Sequence, residues 1–325
     1  MTVLQAIATP LPQRGLLRRV GRYLYSIIDT RTAEQLIAED DNRTTFSRIS
    51  SFLVLHSACL GVFWTGWSWV AVGYAAFLYA IRMFAITGFY HRYFSHRTFK
   101  TNRFWQFVFA AWGNSAAQRG PLWWAAHHRK HHRHSDEPED VHSPWQHTLY
   151  EAHMGWITET RNHKTDLHEV RDFARYGELV FLNRFDMLVP FALGTFSWLF
   201  GWFLEAQFPQ LETTRWQMLV FFFISTVLLF HGTCTINSLS HLFGRKRYET
   251  TDQSRNSLLL ALITFGEGWH NNHHYYPGSA RQGFYWWEID ITYYGLRFLQ
   301  AIGIIRQLNP VPRRTRESNH RLATA

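Results

Sequence analysis

Residues 50–88 read SSFLVLHSACLGVFWTGWSWVAVGYAAFLYAIRMFAITG and are almost continuously apolar. The run is too long for one membrane span, which takes about 20 residues, and has the length of two. The break is expected near Thr65-Gly66-Trp67-Ser68, where small and polar residues favour a turn. Residues 185–204 and 216–236 form a second pair of apolar segments. We therefore predict an all-α integral membrane protein with four transmembrane helices in two hairpins.

The composition supports a membrane protein. Aromatic residues make up 17% of the 325 residues and charged residues 18%, whereas soluble domains have about 25% charged residues. The mean hydropathy of −0.22 averages apolar blocks with segments rich in His and Arg, and Trp and Tyr lower it although both favour membrane interfaces. A disordered chain, a coiled coil and an ordinary soluble enzyme are disfavoured. A soluble all-α protein with buried helices is the alternative, and the uncharged connections within both apolar pairs argue against it.

The basic residues predict an orientation. Lys and Arg number 33 against 24 Asp and Glu, which gives a net charge of +9. The loops within the two hairpins carry none apart from Arg215 at the end of the second, whereas both termini and residues 89–183 carry many. By the positive-inside rule, the termini and the polar segments face the cytosol. No compact basic stripe or helix-turn-helix pattern is present, so we expect no nucleic-acid partner.

We expect a single domain without internal repeats over the whole chain. It divides into a cytosolic N-terminal region of about residues 1–49, a catalytic unit of about residues 50–290 and a basic tail of residues 310–325. The apolar residues 103–117 are too few for a span and predict a buried or interfacial helix. In the tail, the basic run Arg313-Arg314-Thr315-Arg316 predicts disorder.

Histidine occurs 19 times and is concentrated in four clusters, each of which follows an apolar segment. The clusters are His91-Arg92-Tyr93-Phe94-Ser95-His96, His127-His128-Arg129-Lys130-His131-His132, Asn237-Ser238-Leu239-Ser240-His241 and His270-Asn271-Asn272-His273-His274. The predicted orientation places all four on the cytosolic side, near the membrane boundary. We therefore expect a cytosolic helical cap that holds a histidine-rich site for two metals.

The spacing within the clusters indicates how many metals they can hold. Positions i, i+3 and i+4 of a helix share one face. Two triplets have this spacing: His128, His131 and His132, and His270, His273 and His274. His91 and His96 are five apart and point about 140° away from each other on a helix. Neutral imidazole binds Fe, Zn, Cu and Ni, and nine imidazoles exceed the need of one four-coordinate zinc ion.

Two further histidines, His56 and His231, lie inside the apolar segments. An ionisable side chain within a membrane is costly and indicates a function. A structural hydrogen bond is the alternative, and the sequence leaves both open.

Three motifs resemble the histidine boxes of a known family. They are His91-Arg-Tyr-Phe-Ser-His96, His128-Arg-Lys-His-His132 and Gly266-Glu-Gly-Trp-His-Asn-Asn-His-His274. They resemble those of the membrane fatty acyl desaturases, specifically the stearoyl-CoA (delta-9) group in its bacterial form without a fused cytochrome b5 domain. The resemblance runs from about residue 50 to residue 290, and the segment Asn237-x-x-x-His241 belongs to it.

The resemblance implies two irons and a set of ligands. One iron would be held by His91, His132, His241 and His270, with Asn237 reaching it through a water. The other would be held by His96, His128, His131, His273 and His274. Outside the ligands, the resemblance implies that Asp140, His142 and Glu267 orient imidazoles. It further implies a bent acyl tunnel lined by Gln118, Trp124 and Thr233.

The implied activity is the O2-dependent insertion of a cis double bond, at the delta-9 position, into a saturated acyl chain. The substrate would be a long-chain acyl-CoA or acyl-lipid, and the location would be the bacterial cytoplasmic (inner) membrane. Electrons would come from a separate donor of the ferredoxin, rubredoxin or cytochrome b5 type. A basic cytosolic face would steer an acidic donor; its residues are Arg92, Arg97, Lys100, Arg129, Lys130 and Arg133.

Two other kinds of function remain open at this point. A fatty acid hydroxylase or a decarboxylase that forms terminal alkenes would use the same scaffold. A membrane metal-binding or transport protein is the non-enzymatic alternative, but transport requires ligands along a path through the membrane. Here the histidine clusters gather at one boundary.

Overall fold

The computed structural model describes residues 16–39 and 46–318 of the chain. Within these ranges every regular element is a helix, and the only strand-like pairings are isolated bridges such as that between Lys100 and Arg306. The predicted all-α class is confirmed. The predictions for residues 1–15, 40–45 and 319–325 lie outside the described residues.

The helices in chain order are α1 (Leu16–Ile28), α2 (Thr30–Glu39), α3 (Phe46–Ala58), α4 (Val62–Thr65), α5 (Trp69–Ala85), α6 (Arg103–Asn114), α7 (Pro121–His134), α8 (Trp156–Thr158), α9 (Arg171–Ala174), α10 (Gly177–Arg184), α11 (Leu188–Gln207), α12 (Arg215–Ser238), α13 (Leu258–Ile263), α14 (His270–Tyr275), α15 (Ile291–Ala301) and α16 (Arg313–Glu317). Segments Ile86–Ser95 and Glu151–Gly155 are π-helical, and Cys59–Gly61, Thr160–Asn162, Pro209–Leu211 and Leu239–His241 are 3₁₀ turns.

Three helical segments of the described chain are long and apolar enough to cross a membrane: Trp69–Ser95, Leu188–Gln207 and Arg215–His241. The first apolar stretch instead forms a shorter apolar helix, Ser50–Thr65. At 1.5 Å per residue it is roughly 24 Å long, less than the ~30 Å of a hydrocarbon core. The structure thus gives three candidate spans, and the four-span arrangement stays a prediction.

The predicted break in the first apolar run lies where the sequence places it. Gly66 has a φ of +66°, a conformation that glycine adopts at little cost. Ser68 then caps α5, because its Oγ accepts a hydrogen bond from the amide of Ala71 at 3.1 Å and so satisfies one of the free donors of the first turn. A new helix therefore begins at Trp69.

Helix α12 is the centre of the apolar bundle and packs against α3, α5 and α11. Its start is a capping box, in which the side chains of Thr214 and Gln217 each bond to the other residue's backbone. Helix α11 approaches α12 closely at Gly201, where a Cβ atom would lie 2.6 Å from the Cα of Arg215. Only glycine permits so close an approach of the two helices at this point.

The helices that carry histidines extend from the ends of the candidate spans. Helix α5 runs into the π-helical segment Ile86–Ser95, and α12 runs into the 3₁₀ turn Leu239–His241. π-Helical turns are frequent at functional sites. Beneath the π-helical segment, Phe89 stacks on Phe109 of α6 with ring centroids 3.9 Å apart. This packing anchors the π-helical segment against α6.

The basic tail is not disordered where the structure describes it. Residues Arg313–Glu317 form α16. The backbone carbonyl of Arg316 accepts hydrogen bonds from the hydroxyls of Tyr248 (2.9 Å) and Tyr285 (3.0 Å). These aromatic anchors, distant in sequence, explain why the charge run alone led to the wrong prediction. Helix α6 is half-buried, with Phe104 exposed on one face and Phe109 buried on the other, and its place at a membrane interface stays a prediction.

Candidate metal centre

Two helices supply most of the histidines. Helix α7 begins with Pro121, which suits the first position of a helix, and ends in the run that contains the second cluster. Helix α14 follows two glycines that the geometry requires. Gly266 has a φ of +124°, and a Cβ on Gly268 would lie 2.1 Å from the backbone nitrogen of Ala261 on α13. The glycines therefore bring the start of α14 against α13 and set its direction.

The nine predicted histidines lie in two adjacent groups. Within each group, one ring nitrogen of every histidine lies within 4.8 Å of those of the others. The five-histidine group consists of His91, His96, His128, His132 and His273. The four-histidine group consists of His131, His241, His270 and His274. The groups touch, since the rings of His132 and His274 stack with centroids 4.3 Å apart.

The structure divides the nine differently from the assignment that the resemblance implies. His91 and His132 belong with the five-histidine group, and His131 and His274 belong with the four-histidine group. The reason lies in helix geometry, because residues four apart are only about 40° apart around a helix while adjacent residues are about 100° apart. Each of α7 and α14 therefore gives its i, i+4 pair to one group and its remaining histidine to the other.

The ring nitrogens have the spacing of ligands to a common ion. Nε2 of His273 lies 2.9 Å from Nε2 of both His91 and His132, and Nε2 of His96 lies 2.9 Å from that of His128. Two nitrogens bound at about 2.1 Å to one ion, at right angles, lie about 3.0 Å apart. A single N–H on His273 could serve only one of its two neighbours, whereas an ion between the rings would serve all of them.

Carboxylates hold the outer nitrogens of the four-histidine group. Nδ1 of His131 lies 2.9 Å from Asp140 Oδ2, Nδ1 of His241 lies 2.8 Å from Asp136 Oδ2, and Nδ1 of His274 lies 2.7 Å from Asp252 Oδ2. An ionised carboxylate only accepts hydrogen bonds, so each Nδ1 carries the proton and each Nε2 of a neutral ring is bare. Carboxylate–histidine pairs of this kind orient metal ligands.

One of the bare nitrogens is without a partner. Nε2 of His274 is buried and makes no hydrogen bond in the described structure. A buried acceptor left unsatisfied costs about 1–3 kcal/mol. The donor set of imidazoles turned inward by carboxylates, together with this orphaned nitrogen, fits a bound transition-metal ion in the four-histidine group.

Glu267 orients a histidine of the five-histidine group. Its carboxylate contacts Nδ1 of His91 and accepts hydrogen bonds from Arg92 and Gln282, each at 3.0 Å. Arg92 is 1% exposed and pairs also with Asp290 at 2.9 Å. The prediction that Arg92 belongs to an exposed basic face is therefore wrong: the π-helical segment turns it inward, beside the histidine that precedes it.

His142 has a different position from the other two residues predicted to orient imidazoles. Its ring lies 4.4 Å from that of His131, and its Nδ1 lies 3.5 Å from Asp140 Oδ1. It also lines the large cavity beside the site. Asp140 thus contacts the rings of both His131 and His142, and its contact with His131 is the shorter one.

The environment keeps most of these rings neutral. Burial, reinforced by the neighbouring imidazoles, holds the pKa of His96, His128, His132, His270 and His273 well below the ordinary value. Burial lowers the pKa of His274 to about 4 despite the attraction of Asp252. For His131 burial also lowers the pKa, but Asp140 raises it more, so the net shift is upward. Neutral imidazole is the form that binds metals.

A cavity leads to the histidine groups from the apolar helices. It runs from Ser26 and Phe52, on α1 and α3, to His128 and Asn237. The three predicted tunnel residues line it: Gln118, Trp124 and Thr233. Trp124 stacks on His128 with ring centroids 5.0 Å apart. A small adjoining cavity is lined by Asn237 together with His91 of the five-histidine group and His131 and His270 of the four-histidine group.

Sequence reasoning missed Asp136, Asp252 and Gln282. Asp136 and its histidine are 105 residues apart, and Asp252 and its histidine are 22 apart. No spacing rule joins such pairs. The one available signal is chemical, because each inward-facing imidazole needs an acceptor for its other nitrogen, and acidic residues near the clusters are the candidates.

Comparison with known proteins identifies the family. The sequence pattern described as "Fatty acid desaturase" matches residues 67–301, which include all four histidine clusters. The chain belongs to the fatty acid desaturase family. The predicted membership is confirmed by a match over most of the chain.

Individual desaturases are similar to this chain over its central part. Delta-9 acyl-lipid desaturase 1 of Arabidopsis thaliana is 37% identical over 210 residues, which are 63% of this chain and 64% of that protein. The sn-2 palmitoyl-lipid 9-desaturase of Nostoc sp. (strain 36) is 34% identical over 64% of this chain and 70% of its own length. Icosanoyl-CoA 5-desaturase of Limnanthes douglasii is 38% identical over 61% of this chain and 53% of its own length. The match thus spans between about half and 70% of these relatives.

Proposed function

We propose that the protein is a fatty acyl desaturase that inserts a cis double bond, at the delta-9 position, into a saturated acyl chain. The observation that carries this proposal is the pair of adjacent histidine groups beside a cavity whose lining includes His128. An unactivated C–H bond has neither a leaving group nor an acidic proton, so side chains alone cannot break it, and a metal cofactor supplies the required chemistry. Relatives named as lipid 9-desaturases support the bond position.

Two irons are the proposed cofactor. The five-histidine group would hold one and the four-histidine group the other, and Asn237 would reach an iron through a water. When bound, the irons supply the redox chemistry that activates O2. The two electrons that this requires come from an external donor. The protein's own contribution is to orient the imidazoles through the carboxylates on their outer nitrogens and to keep those imidazoles neutral.

The cavity would position the acyl chain. The amide of Gln118 donates a hydrogen bond to Thr233 Oγ1 at 2.9 Å, which joins the loop before α7 to α12 across the cavity. With Trp124 fixed by its stacking on His128, these side chains form a rigid wall beside the histidine groups. A chain held there in one conformation presents the same carbons to the site in each turnover, which is catalysis by orientation.

The substrate would be a long-chain acyl-lipid or acyl-CoA. The names of the relatives include both lipid and CoA substrates, so the choice of carrier rests on experiment. The histidine groups and both termini would face the cytosol of a bacterial inner membrane, as the positive-inside rule predicts.

Electrons would come from a ferredoxin, rubredoxin or cytochrome b5 type of donor. Lys100 and Lys130 are exposed, whereas Arg97 and Arg129 both pair with Asp172, and Arg133 pairs with Glu169. The basic face offered to an acidic donor is therefore narrower than the sequence suggests, and the two lysines carry most of its free charge.

Expression in a host that lacks unsaturated fatty acids, followed by mass spectrometry of its lipids, tests the proposal. We expect cis-monounsaturated acyl chains in total lipid. A hydroxylated chain or a terminal alkene as the main product would favour the related chemistries and contradict the proposal. Saturated lipids alone, from protein shown to carry iron and receive electrons, would contradict it as well.

A further inference from the structure

Three histidines outside the metal groups form a continuous hydrogen-bonded chain. Nε2 of His56 on α3 lies 3.1 Å from Nε2 of His231 on α12. Nδ1 of His231 lies 3.0 Å from Nε2 of His153 in the π-helical segment Glu151–Gly155. The ends are Nδ1 of His56, 2.8 Å from the carbonyl of Phe52, and Nδ1 of His153, 3.0 Å from Ser238 Oγ. The chain thus joins three separate elements.

The Phe52 carbonyl at one end sets one tautomer for each ring of the neutral chain in the state where the Ser238 hydroxyl donates to His153 at the other end. The Phe52 carbonyl only accepts, so His56 carries its proton on Nδ1 and its Nε2 is an acceptor. His231 must then donate from Nε2 and accept at Nδ1. By the same reasoning His153 donates from Nε2 and accepts at Nδ1 from the Ser238 hydroxyl.

A second state holds one more proton and is equally well bonded. The Ser238 hydroxyl lies 2.9 Å from the carbonyl of Cys234, so it can turn from His153 to that carbonyl. His153 can then donate from Nδ1 to Ser238 Oγ, and one of the three rings becomes an imidazolium. Both states leave every nitrogen with a partner, and they differ by one proton and one hydroxyl rotation.

The chain connects a half-buried position to the acyl cavity. His153 is half-buried, and Tyr150, three residues before it, is 61% exposed. At the other end, Phe52 and His56 line the cavity that extends to His128. Burial lowers the pKa of His153, so an added proton is held weakly and can move on.

Few other titratable groups lie on the elements that carry the chain. Cys59 follows α3, with its thiol donating to the carbonyl of Leu55, Cys234 lies on α12, and Glu151 accepts hydrogen bonds from Thr148. Among the described residues no carboxylate lies within ion-pair distance of any of the three rings. The rings therefore have no ion-pair partner in the described part of the chain.

We propose that His153, His231 and His56 form a proton relay that delivers protons to the acyl cavity. This inference rests on the proposed function, because desaturation consumes protons: –CH2–CH2– + O2 + 2 e⁻ + 2 H⁺ gives –CH=CH– + 2 H2O. A proton enters at Nδ1 of His153, the Nε2 protons of His153 and His231 move to the next ring, and the Nδ1 proton of His56 leaves its bond to the Phe52 carbonyl for cavity water. This passage leaves His56 protonated on Nε2 and the other two rings protonated on Nδ1, so each ring must return to its first tautomer before the next proton enters. Two such cycles per double bond supply the two protons, and the two electrons come from the external donor.

The tautomers can be measured without turnover. ¹⁵N NMR of histidine-labelled, metal-free protein, with His56→Ala, His231→Ala and His153→Ala to assign signals, should show the proton of neutral His56 on Nδ1 and those of His231 and His153 on Nε2. On acidification the three rings should take up one proton together. A different tautomer pattern, or three independent titrations, would overturn the relay.

Kinetics supply the second test. In His231→Gln the amide can bond to both neighbours but cannot pass a proton, so we expect kcat to fall by about tenfold or more, with unchanged KM and iron content and an altered pH profile. Imidazole in solution should restore part of the activity of His56→Ala, whose side chain lines the cavity. Full activity and an unaltered pH profile in His231→Gln would contradict the relay.

His168→Gln is the matched control, since His168 is exposed and its ring bonds to Arg171 rather than to any of the three histidines. It should match the unmodified protein in kcat and pH profile. If the proposed function is wrong, the unmodified protein will give no unsaturated product. The tautomer measurement would still show whether the three histidines form the hydrogen-bonded relay.

Discussion

Nδ1 of His241 lies 2.8 Å from Oδ2 of Asp136, a residue 105 positions away in the chain. The same carboxylate accepts a hydrogen bond from the amide of Gln253 at 2.7 Å, and its other oxygen accepts one from Ser143. Asp136 is therefore held in place on three sides. Its position fixes the orientation of His241, so that Nε2 faces the rest of the four-histidine group.

Asp136→Asn tests this orientation. The amide keeps the size of the side chain but removes the charge that holds the proton on Nδ1 of His241. We expect the affinity for metal in the four-histidine group to fall about 10–100-fold, measured as iron retained during dialysis against a graded chelator. Asp166→Asn, at an exposed position, is the control. Equal retention in both variants would show that Asp136 does not orient a ligand.

His132→Ala and His270→Ala remove one histidine from each group. We expect both variants to lose activity while remaining in the membrane, because neither ring belongs to the apolar bundle. In His132→Ala the loss of metal should affect the five-histidine group, and in His270→Ala the four-histidine group. Lipid analysis and metal content check the two effects.

His134→Ala is the matched control for these variants. It lies on the same helix as His132 but its Nδ1 pairs with Glu137 at 3.0 Å. It should retain activity. Full activity in either His132→Ala or His270→Ala would contradict the ligand assignment.

Thr233→Val tests the wall of the cavity. Valine has the shape of threonine but cannot accept the hydrogen bond from Gln118, so the amide is free to move beside the acyl chain. We expect several-fold lower activity and a mixture of double-bond positions, measured by mass spectrometry of the products. Thr235→Val lies on the same helix, and its hydroxyl bonds within α12 to Gly232. If Thr233→Val gave a single product identical to that of the control, Gln118 and Thr233 would not position the substrate.

Asp29→Asn tests the attachment of the N-terminal helices. Asp29, between α1 and α2, is 1% exposed and accepts two hydrogen bonds from Arg184, at 2.9 and 2.8 Å. Loss of the charge should cost about 1.5–3 kcal/mol locally. Ser26 and Thr30, next to it, line the cavity, so we expect faster proteolysis of α1 and a higher KM, with kcat little changed.

The ion pair at Asp29 also has a defined pH dependence. Burial raises the pKa of Asp29, but Arg184 and the other donors lower it more, so the net shift is downward. A carboxyl whose pKa is lowered in the folded state stabilises that state above its ordinary pKa, and this stabilisation is lost as the pH falls through the lowered value. Proteolysis of α1 should therefore accelerate at acidic pH in the unmodified protein. In Asp29→Asn, which lacks the titrating carboxyl, the rate of proteolysis should not show this increase.

Local spacing and chain order account for what could be predicted about the fold. The turn at Gly66, the apolar segments and the nine histidines all follow from patterns within about ten residues. The separation of His131 from His132 agrees with the rotation of about 100° between adjacent helical residues, but the sequence analysis placed both on one face and separated them only through the resemblance. Which group each joins depends on how α7 faces α14, and that depends on close contacts such as Gly268 against α13.

Residues that act across long separations could not be predicted. Arg92 reads as a surface charge beside a polar segment, yet Glu267 and Asp290 surround it from more than 170 positions away. The basic tail reads as disordered because the two tyrosine hydroxyls that bond to Arg316 lie in other segments. In each case the missing information is the partner, and its identity depends on the completed fold.

The metal content of the purified protein tests the central claim most directly. After expression with iron, elemental analysis of the detergent-purified chain should give about two irons per polypeptide, one for each histidine group. Zinc alone that a weak chelator removes, or one iron that persists in both His132→Ala and His270→Ala, would contradict a pair of iron sites built from these nine histidines.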